Sequence, residues 1–453
     1  MKTTGAFSVA AVLAAAALFI TPQASQAMTL DEAVRMALQN NHSVKAAKSR
    51  KEAAEYGSSA AVSGFLPSVE VGETYSKTDN PMYAFGTKLN QERITQGDFD
   101  PAALNNPEAV ENWKTTVSVR QPIFAGGRIW NEYGKAKAGE NMAAAGYAGV
   151  KRAITYKVIE SWLNIRQLEK SLEALNVSSQ LVGESLKVAK DRVDAGMALQ
   201  SDLLDMQINF DRVRKEIVAT EGALKTAKSA FKTLVGMEQA AKIDFQFGEY
   251  TVPIETPEID GAVKNGLESR TDVGQAKAAA EMARRDYGAA KGGFLPSIGI
   301  AADYDWNRSD FSGKAGQSYM VAVEAKWNIF SGGRDRARLM AARAALDAAR
   351  NDEKLVSESI RNDIERNIND FKTAMESTAI SGRGVQFAEE SHRIIKQQYM
   401  EGLKSAADLL SSETQLEKAR LANIAAESEA LLARARVDFS MGLDETTIKE
   451  NAK

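Results

Sequence analysis

The nine prolines of this 453-residue chain stand at positions 22, 67, 81, 101, 107, 122, 253, 257 and 296. Two stretches therefore carry none: 123–252, and everything after 296. Proline removes a backbone donor and clashes with the preceding turn, so these are the zones free to form long uninterrupted helices. The alanine-rich composition, with 26% charged residues, points the same way. The first zone also has the period of packed helices. Ile154, Val158, Ile165, Leu168, Leu172, Leu175, Val182, Leu186, Ala189 and Val193 fall on alternating steps of 4 and 3, interrupted at Ser161 and Ser179. A repeat of about 3.5 residues marks coiled-coil packing. It predicts a helix from about Arg128 to about Asp194, roughly 100 Å long at ~1.5 Å per residue. That is too long for a compact domain of this size. Gly196 reads as its stop, and a second helix is expected from about Ser201 to about Val235.

The zone after 296 repeats this plan, with helices expected at about Asp335 to Met400 and Ala406 to Phe439, broken at Gly402. The repetition is literal. Gly64-Phe65-Leu66-Pro67-Ser68 recurs as Gly293-Phe294-Leu295-Pro296-Ser297, an offset of 229. Ile123-Phe124-Ala125-Gly126-Gly127-Arg128 recurs as Ile329-Phe330-Ser331-Gly332-Gly333-Arg334, an offset of 206. Upstream, Asp31, Ala33, Val34 and Leu38 match Asp260, Ala262, Val263 and Leu267; downstream, Gly196 and Asp202 match Gly402 and Asp408. The first copy thus carries a loop 23 residues longer, between Tyr75 and Trp113. Two copies are too few for a solenoid and indicate a pseudo-symmetric protomer. The expected organisation is a signal peptide over 1–27 and a first repeat over 28–257, with a hairpin at about 66–124, helices at about 128–235 and a connecting segment at about 237–257. A second repeat spans 258–453, with a hairpin at about 295–330, helices at about 335–440 and a short tail.

The signal peptide reading rests on Lys2, the apolar run 9–20, Pro22 and the small-residue site Ser25-Gln26-Ala27. The run is shorter than the ~20 residues of a membrane-spanning helix, and no other stretch is apolar and uncharged for as long. If the chain enters a membrane, it does so without transmembrane helices. There is no cysteine, which excludes disulfides, thiolate metal sites, a cysteine nucleophile and a lipid on cysteine. His42 and His392 are far apart and read as surface histidines on helices. A net charge of -3 argues against nucleic acid, which needs a concentrated basic face. No nucleophile motif, metal cluster or supported carboxylate pair suggests an enzyme, and no cofactor or metal is expected.

Four short segments alternate with period 2. Val69, Val71 and Tyr75 form the first, and Trp113, Val117, Val119 and Ile123 the second. Ile298, Ile300, Ala302, Tyr304 and Trp306 form the third; Tyr319, Val321, Val323, Ala325, Trp327 and Ile329 form the fourth. About ten alternating residues with aromatics near the ends fit transmembrane β-strands, and equally any half-buried hairpin. Four strands cannot close a barrel, and an open edge in lipid leaves backbone groups unpaired at several kcal/mol each. If the strands span a membrane, the barrel must be shared: three chains give twelve strands, two give a narrow eight.

The chain resembles the TolC-type outer-membrane efflux proteins over essentially its whole mature length. The matching features are Thr29-Leu30-Asp31-Glu32-Ala33, the paired Gly-Phe-Leu-Pro boxes, the paired Ile-Phe-x-Gly-Gly-Arg boxes, and the turns at Gly196 and Gly402 with an aspartate six residues on. The resemblance implies an α+β membrane protein: a homotrimer with long coiled-coil helices forming a periplasmic α-barrel, and four transmembrane strands per chain closing a shared twelve-stranded barrel in outer-membrane lipid. It implies an exit duct for a tripartite efflux or type I secretion system, with a periplasmic adaptor and an inner-membrane RND or ABC-type transporter as partners. The other architecture compatible with the residues is an exported coiled-coil structural protein or adhesin.

Three local features complete the reading. The loop from Lys77 to Asn112, with Asp79-Asn80-Pro81, Asp100-Pro101 and Asn105-Asn106-Pro107, is expected to be a solvated surface loop outside the cell, partly covering the mouth. The Gly-Gly-Arg boxes lack a P-loop ending and read as strand-to-helix turns needing special backbone angles. The candidate closing turns of the tube are Asp194 to Asp202 and Met400 to Asp408. By resemblance, the periplasmic gate positions are Ser201, Asp202, Tyr399, Lys404 and Asp408: Tyr399 would hydrogen-bond Asp202, Lys404 would contact Ser201, and Asp408 would face the lumen as a ring of three carboxylates favouring cations. Ser411 stands where many relatives have a second aspartate. Aspartate in a helix's first turn is also favoured by capping and the helix dipole, so Asp202 and Asp408 have two readings.

Overall fold

The computed structural model describes residues 27–248 and 255–443. The expected signal peptide, apart from Ala27, and the tail from 444 onward lie outside the described residues.

The first half starts with strand β1 (Ala27–Met28) and helices α1 (Leu30–Asn40) and α2 (His42–Val62). Thr29 and Glu32 form a reciprocal capping box at the start of α1. Strand β2 (Ser68–Thr78), helices α3 (Pro81–Asn90) and α4 (Pro101–Asn105) and strand β3 (Val110–Ala125) make the first hairpin. Helices α5 (Arg128–Asp194) and α6 (Gln200–Val235) and the short strand β4 (Asp244–Phe245) follow. The second half runs α7 (Ile259–Ser269), α8 (Thr271–Gly292), β5 (Ser297–Arg308), β6 (Gly316–Lys326), α9 (Arg334–Met400) and α10 (Ala406–Ser440). Among the described residues, no helix is long and apolar enough to cross a membrane.

The long helices begin and end where the glycines allow. Gly127 and Gly333 precede α5 and α9 in the left-handed region, and Gly196 and Gly402 follow them there. Gly126 needs both its conformation and its space. Its φ is 61°, and a Cβ there would fall 2.3 Å from the carbonyl oxygen of Gly292. The turn that opens α5 is thus pressed against the end of α8.

Three apolar clusters hold the helices. The first gathers Val34, Ile159, Trp162, Phe231 and Leu431 from α1, α5, α6 and α10. Phe245 and Phe247, carried next to it by the parallel pairing of β4 with β1, lie 5.2 and 5.1 Å from the Trp162 ring. The second places Ile360, Ile364, Ile368 and Phe371 of α9 against Ala262, Val263, Val273, Ala433 and Val437. The third, at the far end, joins Ala189, Met206, Tyr399, Ala406 and Leu409. Of the α5 stripe, Ile154, Val158, Ile165, Leu175, Val182 and Ala189 are buried.

The four longer strands form one antiparallel sheet in the order β2-β3-β5-β6, so β2 and β6 are its edges. Two expectations need correction. The segment between β2 and β3 is not simply a solvated loop. It holds α3 and α4, the Phe85 and Phe99 rings meet at 5.6 Å, and Lys88 pairs with Asp98 at 2.7 Å. His392 is not a surface residue: it is buried on α9, with Nδ1 3.1 Å from the Ser412 hydroxyl of α10, and burial pushes its pKa down.

Candidate channel wall and closing turns

Residues opposite one another across a ladder share a face, so the register sorts the sheet into two surfaces. On one, Val69, Val119, Ala302 and Val321 stand in line, as do Val71, Val117, Tyr304 and Tyr319. Val69, Val71, Tyr319, Val321 and Val323 are all exposed, so this face is apolar and uncovered. Glu73 and Arg308 also lie on it, and pair at 3.0 Å. The other face is polar and internally bonded. Arg120 and Ser118 meet Asp303 at 2.8 and 2.6 Å, Lys114 and Thr116 meet Asp305 at 2.9 and 2.7 Å, and Asn112 donates to Asn307. Aromatic rings mark both ends of the apolar face. Tyr75, Trp113 and Phe311 cluster at the hairpin end. At the helix end Phe65 packs on Trp130, and the Trp327 indole donates to the Phe294 carbonyl. An apolar band between two aromatic girdles, backed by a polar surface, is the cross-section of a membrane barrel wall.

The segment bearing α3 is fastened to the polar side. Gln91, 3% exposed, donates from Nε2 to the carbonyls of Glu111 and Arg308 and to the Asn112 side chain, at 2.7 to 3.1 Å. It therefore lies across the strand ends of both hairpins, on the face that carries Asn112 and Asn307.

At the opposite end of the helices lie the predicted gate residues. Tyr399 is buried, its ring 4.7 Å from the Arg192 guanidinium, and Arg192 also donates to the Met400 carbonyl at 2.7 Å. Burial raises the Tyr399 pKa, Arg192 lowers it and the nearby Asp202 carboxylate raises it. Among the described residues no Tyr399–Asp202 and no Lys404–Ser201 hydrogen bond forms within the protomer. Instead Lys404 lies 3.9 Å from Asp408, and Ser201 is exposed. The two aspartates differ. Asp408 completes a capping box with Ser405, whose hydroxyl holds its pKa below the usual carboxylate range. At the start of α6 no side chain caps the helix, so Asp202 does not have that role.

Sequence reasoning missed the polar bolt just above these turns. Glu413 of α10, 3% exposed, accepts from Ser185 of α5 at 2.5 Å and from Asn209 of α6 at 3.5 Å. Burial pushes its pKa up to about 7. Glu417, one turn on, takes a two-pronged pair from Arg212 of α6 at 2.8 and 3.1 Å. The signal was present: Glu413 interrupts an apolar stripe between Leu409 and Leu416 at steps of 4 and 3.

The comparisons with known proteins agree with this geometry. The sequence model of a family described as outer membrane efflux protein matches residues 33–237 and 262–443. The outer membrane protein TolC of Vibrio cholerae serotype O1 is 20% identical over 293 residues, covering 63% of this chain and 67% of that protein. The proteases secretion protein PrtF of Dickeya chrysanthemi is 21% identical over 424 residues, covering 90% and 87%. Among solved structures, a membrane protein from Pseudomonas aeruginosa superposes with a TM-score of 0.80 at 18% identity, covering 92% of this chain and 90% of that one. With two-faced strands at one end, paired coiled coils at the other and a family match along both halves, the chain belongs to the outer membrane efflux protein family and is a channel protein of the outer membrane.

Proposed function

We propose that three copies of this chain close a twelve-stranded barrel in the outer membrane and a helical tube beneath it, forming the exit duct of a tripartite efflux or type I secretion system. The observation that carries this is the sheet. Its one apolar and one polar face suit a wall between lipid and water, and its two free edges, β2 and β6, need partners in hydrocarbon. Three copies pair every edge. A soluble coiled-coil scaffold or adhesin would have no use for the uncovered apolar band. A periplasmic adaptor and an inner-membrane RND or ABC-type transporter complete the pathway, in keeping with relatives named for efflux and protease secretion. Native mass measurement of the detergent-solubilised protein is expected to give three chains, and any other stoichiometry overturns the shared barrel.

The closing turns are the proposed periplasmic gate, with Asp408 of three chains as its carboxylate ring and Ser201, Asp202, Tyr399 and Lys404 around it. Capping and gating separate by mutation. Asp408→Asn is expected to reduce cation selectivity and divalent block in planar-bilayer recordings. Ser405→Ala removes the cap partner, costs about 1 kcal/mol, and should leave both properties in place. Unchanged selectivity and block in Asp408→Asn would remove that residue from the gate.

A further inference from the structure

A basic cleft opens between α5, α8 and α9, next to the aromatic rings at the helix end of the sheet. Asn131 of α5, Arg284, Tyr287 and Lys291 of α8, and Arg343 and Arg350 of α9 line a recess of about 540 Å³. Its orientation follows from α5. Trp130 is 67% exposed and packs on Phe65 in the girdle. Gly134 stands four residues on, on the same helix face. A Cβ at Gly134 would fall 2.7 Å from Arg285 Nε, so the Arg285 side chain lies along that face beside the cleft. The cleft therefore opens on the side of Trp130, and Asn131 places its upper rim at the level of the girdle.

Its charges are unbalanced. Arg284 and Arg285 share one carboxylate, Glu281, at 2.5 to 2.6 Å. Asp347 reaches Arg350 only at 4.0 Å. Lys291 sits over the Tyr287 ring at 4.3 Å. Among the described residues neither Lys291 nor Arg343 has a carboxylate within ion-pair distance. Cations from two helices thus face a single recess whose own lining supplies one carboxylate, Asp347, which leaves an excess of positive charge to attract an anion. Forked guanidiniums and a lysine suit phosphate oxygens. Basic pockets just below a membrane's aromatic girdle stand level with lipid headgroups.

We propose that this cleft holds the phosphodiester headgroup of an anionic phospholipid from the periplasmic leaflet, with Lys291 and Arg343 as its principal contacts. The proposal rests on the membrane placement of the sheet. It is tested by titrating the detergent-purified protein with phosphatidylglycerol and with phosphatidylcholine of the same acyl chains, read by native mass spectrometry. The wild type is expected to retain phosphatidylglycerol in preference. Each cation removed should weaken retention roughly fivefold, so Lys291→Ala with Arg343→Ala should weaken it roughly 25-fold. The charge-preserving pair Lys291→Arg and Arg343→Lys should keep the preference, which guards against a merely misfolded variant. Undiminished retention by the double alanine variant, or equal displacement of the lipid by inorganic phosphate, overturns the proposal. Bilayer conductance separates it from the channel reading: a wild type that conducts but shows no lipid preference sinks the lipid site alone, and one that never conducts sinks the channel.

Discussion

Glu413→Gln is expected to abolish most of the pH dependence of the junction between the α5–α6 and α9–α10 helix pairs. The Glu413 carboxyl is buried among groups from three other helices: Ser185 bonds it from α5, Asn209 from α6, and the charge of Lys396 and the Tyr399 hydroxyl act on it from α9. Ser185 and Lys396 favour its charge, but burial outweighs both, and its pKa rises from 4.5 to about 7. A raised carboxyl pKa means that the packed junction holds the proton more tightly than the parted one. The junction is therefore firmest below pH 4.5, loosens as pH climbs from 4.5 to about 7, and changes little above that. Across that window the difference is on the order of 3 kcal/mol. Glutamine keeps the shape and a hydrogen-bond acceptor for Ser185 but cannot ionise. Hydrogen exchange along α10, measured at several pH values and corrected for intrinsic rates, should show protection falling with pH in the wild type and staying level in the variant. Parallel profiles for the two proteins would show that Glu413 is not the titrating group.

A larger loss is expected from Trp162→Ala. The indole is fully buried in α5, and its aromatic neighbours come from later in the chain: Phe231 of α6, Phe245 of β4 and Phe247 just after it. Removing it leaves a cavity that rings held by α6 and by the β4 segment cannot readily fill. Truncation of a buried tryptophan costs about 3–5 kcal/mol. Trp162→Phe keeps ring contacts and should cost clearly less. Denaturant unfolding followed by near-ultraviolet circular dichroism reads both. A change under ~1 kcal/mol for the alanine variant would mean that the cluster does not clamp α5.

The long helices were legible because their determinants are local. Missing prolines set where they could run, and Gly196 and Gly402 set where α5 and α9 stop. The strands were legible for the same reason, since alternation is written in consecutive residues and the register then places valine beside valine. The outer segment was misread because one signal has two meanings. Asn80-Pro81 and Asp100-Pro101 are turn-like, yet they are also a helix cap followed by proline at the first helical position, and they start α3 and α4. His392 was misread, and the partners of Glu413 were missed, because what a polar residue meets across a helix junction is set by a helix remote in sequence. Nothing near His392 announces Ser412, and nothing near Glu413 announces Ser185. The gate positions came from the resemblance, and Arg192, which the structure sets against Tyr399, was not among them.

The aromatic clamp has a mechanical consequence. Trp162 stands near the midpoint of α5, whose ends are Arg128 and Asp194. The upper end is pressed at Gly126 against α8 and held beside the sheet, so the helix is a lever with a pinned head and a fulcrum at its waist. The arm from fulcrum to tip is about 50 Å. A bend of about 6° at Trp162, with the upper half staying pinned, would carry the tip sideways by roughly 5 Å, close to one helical turn. In the proposed trimer, a small bend at the waist would be enough to widen the inner aperture.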